Sequence, residues 1–415
     1  MREVATRATQ SDGTARAVAE AARAKPAPYG PDLDLDAYRT DISDEEPAAR
    51  KPLPAADQAR LLEVGVDLGN TTPRAGSFLQ VNHALVHCGS RQEGLEILGI
   101  EEARARYGGL PDYWWQALGP DADKYAAEAE LDRHGGYFVR ALPGAKAIYP
   151  LQAGLYLARE GLAQAVHNVV LVEEGAELHL ITGCASAPGV RRGLHVGVSE
   201  FYVKRGAKLT FTMIHAWAPE VAVRPRTGVI VEEGGVFLNN YVALGPVQSI
   251  QMYPTARLVG PGALARFNSV LVAQPGAELD VGSRAILEAP GTRAELVART
   301  ISLGGRIVSR GQLVGRVPGV RGHLECRGLI LAPGGSILAV PELEGDSPDL
   351  ELSHEAAVGR INPDEVEYLM ARGLDEAEAT AVIVRGFLNV DIEGLPPLLE
   401  QELRAVLDVG ASRLL

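Results

Sequence analysis

Cysteine is scarce: Cys88, Cys184 and Cys326 are the three in a chain of 415 residues. Three thiols cannot form a disulfide framework, and an odd number leaves at least one free, which fits a reducing compartment. They also cannot supply the four thiolates of a structural zinc or cluster within one chain. Aromatic residues make up only 5%, so the core must be built from Val, Leu, Ile and Ala. No apolar run reaches the roughly 18 residues of a membrane span, and the first 25 residues lack a signal peptide's apolar stretch. The expected address is cytoplasmic. Cations are outnumbered, 40 to 53, giving a net charge of −13. Such a chain is ill suited to a phosphate backbone, so nucleic acid is excluded as a partner. Lys25, Lys51, Lys124, Lys146, Lys204 and Lys208 are the lysines, and none follows a glycine, so there is no P-loop. Gly-x-Ser-x-Gly, His-Glu-x-x-His and Cys-x-x-Cys are also missing. The chain does not read as a self-contained enzyme.

Glycine and proline, by contrast, are plentiful, at 46 and 26. Residues 1–60 form an acidic, Ala- and Pro-rich leader with Asp32-Leu33-Asp34-Leu35-Asp36 and Asp44-Glu45-Glu46-Pro47. No glycine sits where a calcium loop would have to bend, so the leader reads as solvated and partly helical. Residues 61–170 form a mixed α/β region. Leu95 to Tyr107 has helical spacing and ends at Gly108-Gly109, and Tyr113, Trp114 and Trp115 read as a packing cluster.

Residues 171–355 carry a repeat. A Gly-centred turn followed by alternating apolar residues recurs at Gly175, Gly206, Gly234, Gly262, Gly276, Gly291, Gly304, Gly319 and Gly334. The spacings are 31, 28, 28, 14, 15, 13, 15 and 15 residues. A unit of about 14 residues is too short for two packed helices but suits one strand and a corner, stacked as a β-solenoid. Leu178 with Leu180, and Leu209 with Phe211, show the period of two expected for strands with a buried face. A β-sandwich is the competing fold. Residues 356–415 turn helical. Asn362-Pro363 opens one helix, Asp375-Glu376-Ala377-Glu378 a second, and Pro396-Pro397 a third. The predicted fold is a mainly β chain: a β-helix core between an N-terminal mixed region and a C-terminal helical subdomain.

Soft and borderline ligands collect near the end of the repeat. Cys326 and the pair His354-Glu355 are about one coil apart, a spacing that allows them to meet near the last coils. Thiolate, imidazole and carboxylate together suit iron or an iron–sulfur cluster, and two facing chains would double the ligand count. The plainer alternative is a buried cysteine and a capping His-Glu pair. His83-x-x-x-His87-Cys88 would place two histidines on one helix face, a zinc half-site, or else serve in packing.

Four segments carry a resemblance to a known family. They are Gly183-Cys184-Ala185-Ser186-Ala187-Pro188 with Leu194-His195, then Met213-Ile214-His215-Ala216-Trp217, then Gln251-Met252-Tyr253-Pro254, and finally Ser353-His354-Glu355-Ala356-Ala357-Val358-Gly359-Arg360-Ile361 continuing to Arg385-Gly386-Phe387-Leu388. Residues from about 165 to 392 resemble the SufB/SufD family, the β-helical core of the Suf iron–sulfur assembly machinery. The resemblance implies a scaffold on which a transient iron–sulfur cluster is built. It implies that Cys184 accepts sulfur from a cysteine desulfurase and that Cys326, Glu355 and His354 hold the nascent cluster at a dimer interface. Ser353 replaces a carboxylate that many SufB proteins carry, leaving that role absent or taken by Glu351. Partners implied are a SufC-like ABC ATPase on the C-terminal helical region and a second SufB/SufD-type chain, as homodimer or heterodimer. A flavin is suggested for some complexes of the family, and the sequence gives no support for one.

Having both Cys184 and Cys326 favours a SufB-like over a SufD-like role. His195 and His215 are the candidate proton relays along the sulfur path, which requires Cys184 to be reachable and partly thiolate. A SufD-like structural subunit, a carbohydrate-active β-helix enzyme and an inert solenoid binding module are the other readings.

Overall fold

The computed structural model describes residues 13–41, 52–69 and 71–388. The acidic stretch at Asp44–Pro47 and the helix opened by Pro396-Pro397 lie outside the described residues.

The chain is a β-solenoid of about eight coils, with helices at both ends. Two sheets of largely parallel strands face each other. In the first, the strands Leu151–Leu157, Glu177–Ser186, Lys208–Ala216, Val236–Ala243, Leu264–Ala273, Arg293–Ser302, Val320–Ile330 and Leu350–Gly359 lie side by side in chain order. The antiparallel hairpin of Gly76–Val81 and Ala84–Ser90 extends its N-terminal edge. The second sheet carries the returning strands, among them Ala163–Val172, Arg192–Val203, Glu278–Leu287, Arg306–Gly315 and Ser336–Gly345.

All nine repeat glycines adopt positive φ. At Gly206 (φ 63) the cause is plain: the chain must turn a corner within two residues, and only glycine takes that conformation without a steric penalty. Its amide donates to the Glu233 carbonyl of the next coil at 2.8 Å, so the corner continues the ladder. The following Ala207 is buried against the bore.

Alternation along each strand splits the apolar residues into two sets. Inward residues fill the bore in stacked rows, including Phe201, Phe211, Phe237 and Phe267, with neighbouring ring centroids 4.6–5.7 Å apart. Outward residues of the first sheet, such as Ile181, Ile214, Val242 and Val270, are covered by the segment Leu61–Val66 and, near the other end, by Val384. The second sheet's outer face is covered by the N-terminal region, where Trp114 and Trp115 are buried. Glu200 anchors this cover. Its carboxylate is fully buried and accepts from the backbone amides of Trp115, Gln116 and Ala117 at 2.6–2.7 Å, and from the Tyr202 hydroxyl at 2.7 Å.

Two local expectations need correction. Residues Leu95–Gly99 form a strand, and only Ile100–Arg106 is helical. Edge pairing with Tyr137–Ala141 overrides the helical spacing there. The segment around His83 and His87 is a β-hairpin rather than a helix. His83 stacks on His134 with centroids 3.6 Å apart, and His87 Nε2 bonds the Ser77 hydroxyl at 2.8 Å, so the zinc half-site does not form.

At the C-terminal end, Pro363–Met370 is capped by Asn362, whose side chain accepts from the Asp364 amide. Glu376–Leu388 starts with a reciprocal Asp375–Glu378 capping box. No helix among the described residues is long and apolar enough to cross a membrane.

Candidate functional site

The strand Glu177–Ser186 places Cys184 on the bore face, because Ala185 beside it belongs to the outer set. In register, Cys184 lies between Leu155 and His215. It is 1% exposed, and burial pushes its thiol pKa well above the ordinary value. Both conditions expected of a sulfur acceptor, reachability and thiolate character, are therefore unmet in this closed form. The preceding Gly183 faces outward, where any Cβ would fall 2.5 Å from the Val64 carbonyl oxygen. Glycine there lets the Leu61–Val66 cover lie directly on the sheet.

A buried polar row surrounds Cys184. His215 Nδ1 is bonded by the Tyr241 hydroxyl at 2.9 Å, while its Nε2 is buried without a partner. His195 Nδ1 bonds Gln164 Oε1 at 3.0 Å, and the Trp217 ring lies between the two imidazoles, with centroids 5.1 and 5.5 Å away. Burial holds both imidazoles neutral: His195 is lowered to about 3, and His215, which also feels His195, falls well below its usual range. Both shifts oppose proton transfer from the Cys184 thiol to an imidazole while the site stays buried. Tyr241 and Gln164 were not singled out from the sequence. Tyr241 follows His215 by 26 residues, nearly one coil, and that spacing was the available signal.

Cys326 also faces the bore, in the same continuous core as Cys184. The path between them crosses five strand-to-strand steps, roughly 24 Å at the usual spacing. Its thiol is 3% exposed, raised in pKa by burial, and receives the Ser309 hydroxyl at 3.8 Å from the opposite sheet. Beside it is a hollow of ≈ 10 Å³, about one water, lined in part by Ser283, Ser309, Glu325 and Cys326.

The predicted meeting of Cys326 with His354 and Glu355 is only half met. Cys326 stands opposite Ala356, while His354 stands opposite Leu324 and Glu355 opposite Glu325. His354 thus shares the bore face with Cys326, one row away along the strand. Glu355 lies on the other face, held by Arg327 Nη2 at 3.1 Å. On that outer face, Glu351 pairs with Arg321 at 3.3 Å, and Ser353 bonds His323 Nδ1 at 2.9 Å. Among the described residues no group of three or more His, Cys, Asp or Glu side chains is gathered to hold a metal ion.

These residues lie at an open end. The first sheet stops at Leu350–Gly359 and the second at Ser336–Gly345, both largely exposed.

The strand order, the two bore-facing cysteines and the open end define a β-solenoid with two thiols buried in its bore. Residues 155–387 match the SUF system FeS cluster assembly, SufBD core domain. A protein of Methanothermobacter thermautotrophicus named iron-sulfur cluster assembly SufBD family protein is 48% identical over 399 residues, covering 94% of this chain and 97% of its own. One of the same name from Archaeoglobus fulgidus is 48% identical over 359 residues, covering 86% and 96%. The iron-sulfur cluster assembly protein SufB of Bacillus subtilis is 31% identical over 288 residues, covering 69% and 62%. The chain belongs to the SufBD family of iron–sulfur cluster assembly proteins.

Proposed function

We propose that the chain is a SufB-like scaffold that receives sulfur at Cys184, passes it to Cys326 and builds a transient iron–sulfur cluster at the open end of the solenoid. The observation that carries this reading is the placement of both cysteines on the bore face of one continuous core. The free state of all three thiols suits a cytoplasmic role.

The transfer balances as follows. Once water enters and relaxes both pKa shifts, His215 takes the Cys184 proton, and the thiolate attacks the terminal sulfur of a desulfurase-bound persulfide. The donor's S–S bond breaks, and its cysteine leaves as thiolate. The two thiols stand roughly 24 Å apart, so a small carrier thiolate attacks the sulfane sulfur on Cys184, which leaves as thiolate and takes back the proton from His215. The Cys326 thiolate then attacks the carrier persulfide, and the departing carrier thiolate takes up the Cys326 proton. His195 joins the relay through water that bypasses the Trp217 ring. Two electrons per sulfur, from a soluble reductant, reduce the delivered sulfur to sulfide for the cluster. Because Cys184 is enclosed in the bore, the coils around it must part for each delivery.

The chain has no nucleotide-binding loop, so the opening is driven by a SufC-like ABC ATPase. The C-terminal helices offer Tyr368, Met370 and Val382 as exposed apolar contacts for it. A second SufB/SufD-type chain covers the open sheet edges, where each chain presents His354 and Glu355. Glu355 must leave Arg327 to act as a ligand.

Anaerobic reconstitution with iron, sulfide and a SufC-like ATPase tests the reading. Visible cluster absorption in the wild type and its loss in Cys326→Ala are expected. The separation of Glu355 from Cys326 by a sheet favours a second reading, a SufD-like structural subunit. In that case neither protein shows cluster absorption, while the ATPase still co-purifies.

A further inference from the structure

On the outer face of the second sheet, away from both cysteines, a cleft of ≈ 210 Å³ opens between the turn at Pro28-Tyr29 and the solenoid. Its floor carries Arg226, Gln251, Tyr253 and Arg284. Three arginines surround it. Arg226 is matched by buried Asp123, with Nη2 to Oδ2 at 2.6 Å. Arg310, whose guanidinium lies 4.5 Å over the Tyr29 ring, is matched in bidentate fashion by Asp280 at 2.6 and 3.0 Å. Arg284 is matched by no carboxylate among the described residues. Its guanidinium lies 5.4 Å from the Tyr253 ring, and its Nε is buried without a hydrogen-bond partner. The next carboxylate on that row, Glu342, is exposed two strands away and makes no ion pair with it.

A second donor is orphaned in the same cleft. Gln251 is 2% exposed. Its Oε1 accepts from Arg226 Nη2 at 2.5 Å, which fixes the amide's orientation and leaves Nε2 as a buried donor with no acceptor. Buried donors are rarely left unpaired, and each such group costs free energy until an acceptor reaches it. One unmatched guanidinium and one orphaned amide, beside two tyrosine rings 5.2 Å apart, require an acceptor that is anionic and a body that is flat or apolar.

We propose that this cleft is a binding site for a small oxyanion-bearing molecule, a phosphate or carboxylate on an aromatic or apolar body. The oxyanion accepts from Arg284, and from Gln251 Nε2 once the turn at Pro28-Tyr29-Gly30 above that atom shifts on binding, and the body lies against Tyr29 and Tyr253. The volume excludes large ligands, being below the usual range for drug-sized pockets.

The test is calorimetric titration of the intact chain with phenyl phosphate and with benzoate, against chloride at matched ionic strength. Saturable binding of at least one oxyanion is expected, and the stronger of the two identifies the head group. Arg284→Gln should weaken it by about tenfold or more, the effect of losing one charge-assisted hydrogen bond. Gln251→Met, which removes the orphaned donor together with the acceptor of Arg226 at similar volume, should weaken it as well. Arg257→Gln, whose guanidinium pairs with Glu288 outside the cleft, should bind as the wild type does. Melting curves confirm that each variant is folded, and whichever of the two cleft variants folds decides the outcome. No saturable binding above chloride, or unchanged affinity in a folded Arg284→Gln or Gln251→Met chain, overturns the proposal.

Discussion

Cys326 and Glu355 stand on opposite faces of one sheet. Cys326 is turned into the bore, and Glu355 is held outside by Arg327. A cluster that uses both therefore needs a rearrangement of the last coil or ligands from two chains. Under the proposed function, this separation keeps the thiol and the carboxylate from holding one cluster until partner chains rearrange the open end.

The closed bore makes a first prediction about pH. Burial lowers the pKa of His134, His167, His195 and His215. Unfolded histidines take up protons below about pH 6.5 while these do not, so stability present above that pH is lost as pH falls toward the folded values. Burial raises all three thiols. Unfolded thiols release protons above about pH 9 while the folded ones keep them, so stability is also lost as pH rises beyond that point. Each group contributes roughly 1.4 kcal/mol per pH unit inside its window. Denaturant unfolding across pH should show a plateau between these limits, and His195→Gln should flatten the acid limb. An acid limb unchanged in that variant would remove His195 from the account.

The cover on the outer face of the Cys184 strand is tested at glycine. Gly183→Ala pushes a methyl group into the Val64 carbonyl and side chain, at 2.5 and 2.6 Å, and should cost about 2–4 kcal/mol. Gly189→Ala, just after that strand, meets nothing within 4 Å and should stay within about 0.5 kcal/mol of wild type. Urea midpoints compare the two, and equal midpoints would show that the cover does not pack as described.

Much of this architecture was legible in the sequence, because a solenoid repeats its constraints. Gly175 through Gly334 mark the corners, and the period of two marks the strands, so fold and corners follow from spacing alone. Local competition was harder to read. Leu95–Gly99 has helical spacing, yet it pairs with Tyr137–Ala141, a partner about 40 residues away that spacing cannot show. The coil length misled in a similar way. The turn at 303–305 becomes 331–335 in the next coil, so Cys326 meets Ala356 rather than His354. Parity survives such an insertion of two residues. Counting faces from Cys326 places His354 inside and Glu355 outside, whatever the coil length. Arg327 and Tyr241 were invisible because their roles depend on which neighbour the coil brings alongside.

The N-terminal cover depends on one buried carboxylate. Glu200 also bonds His167 Nε2 at 3.0 Å. Glu200→Gln replaces an acceptor of three backbone amides with a group that is half donor, and leaves His167 and Tyr202 competing for one oxygen. The loss should be about 3–5 kcal/mol, as for other broken buried charge networks. Trp114 and Trp115 are buried against this site, so their fluorescence should shift to the red before global unfolding. Intact fluorescence with unchanged stability would mean that the cover is held elsewhere.

Arg327 sets a threshold for the open end. If Glu355 serves as an iron ligand, it must first give up its 3.1 Å ion pair with Arg327. Exposed pairs of this kind contribute about 0.2–1 kcal/mol, so the penalty on iron binding is at most severalfold. Arg327→Gln should therefore raise the iron retained after anaerobic gel filtration by about that factor, at low salt most of all, because salt already weakens the pair in the wild type. Glu355→Gln should lower retention and make it insensitive to the Arg327 substitution, since the two act on one carboxylate. Additive effects in the double variant would show that Arg327 acts on iron by another route, and would leave Glu355 as a surface ion-pair residue.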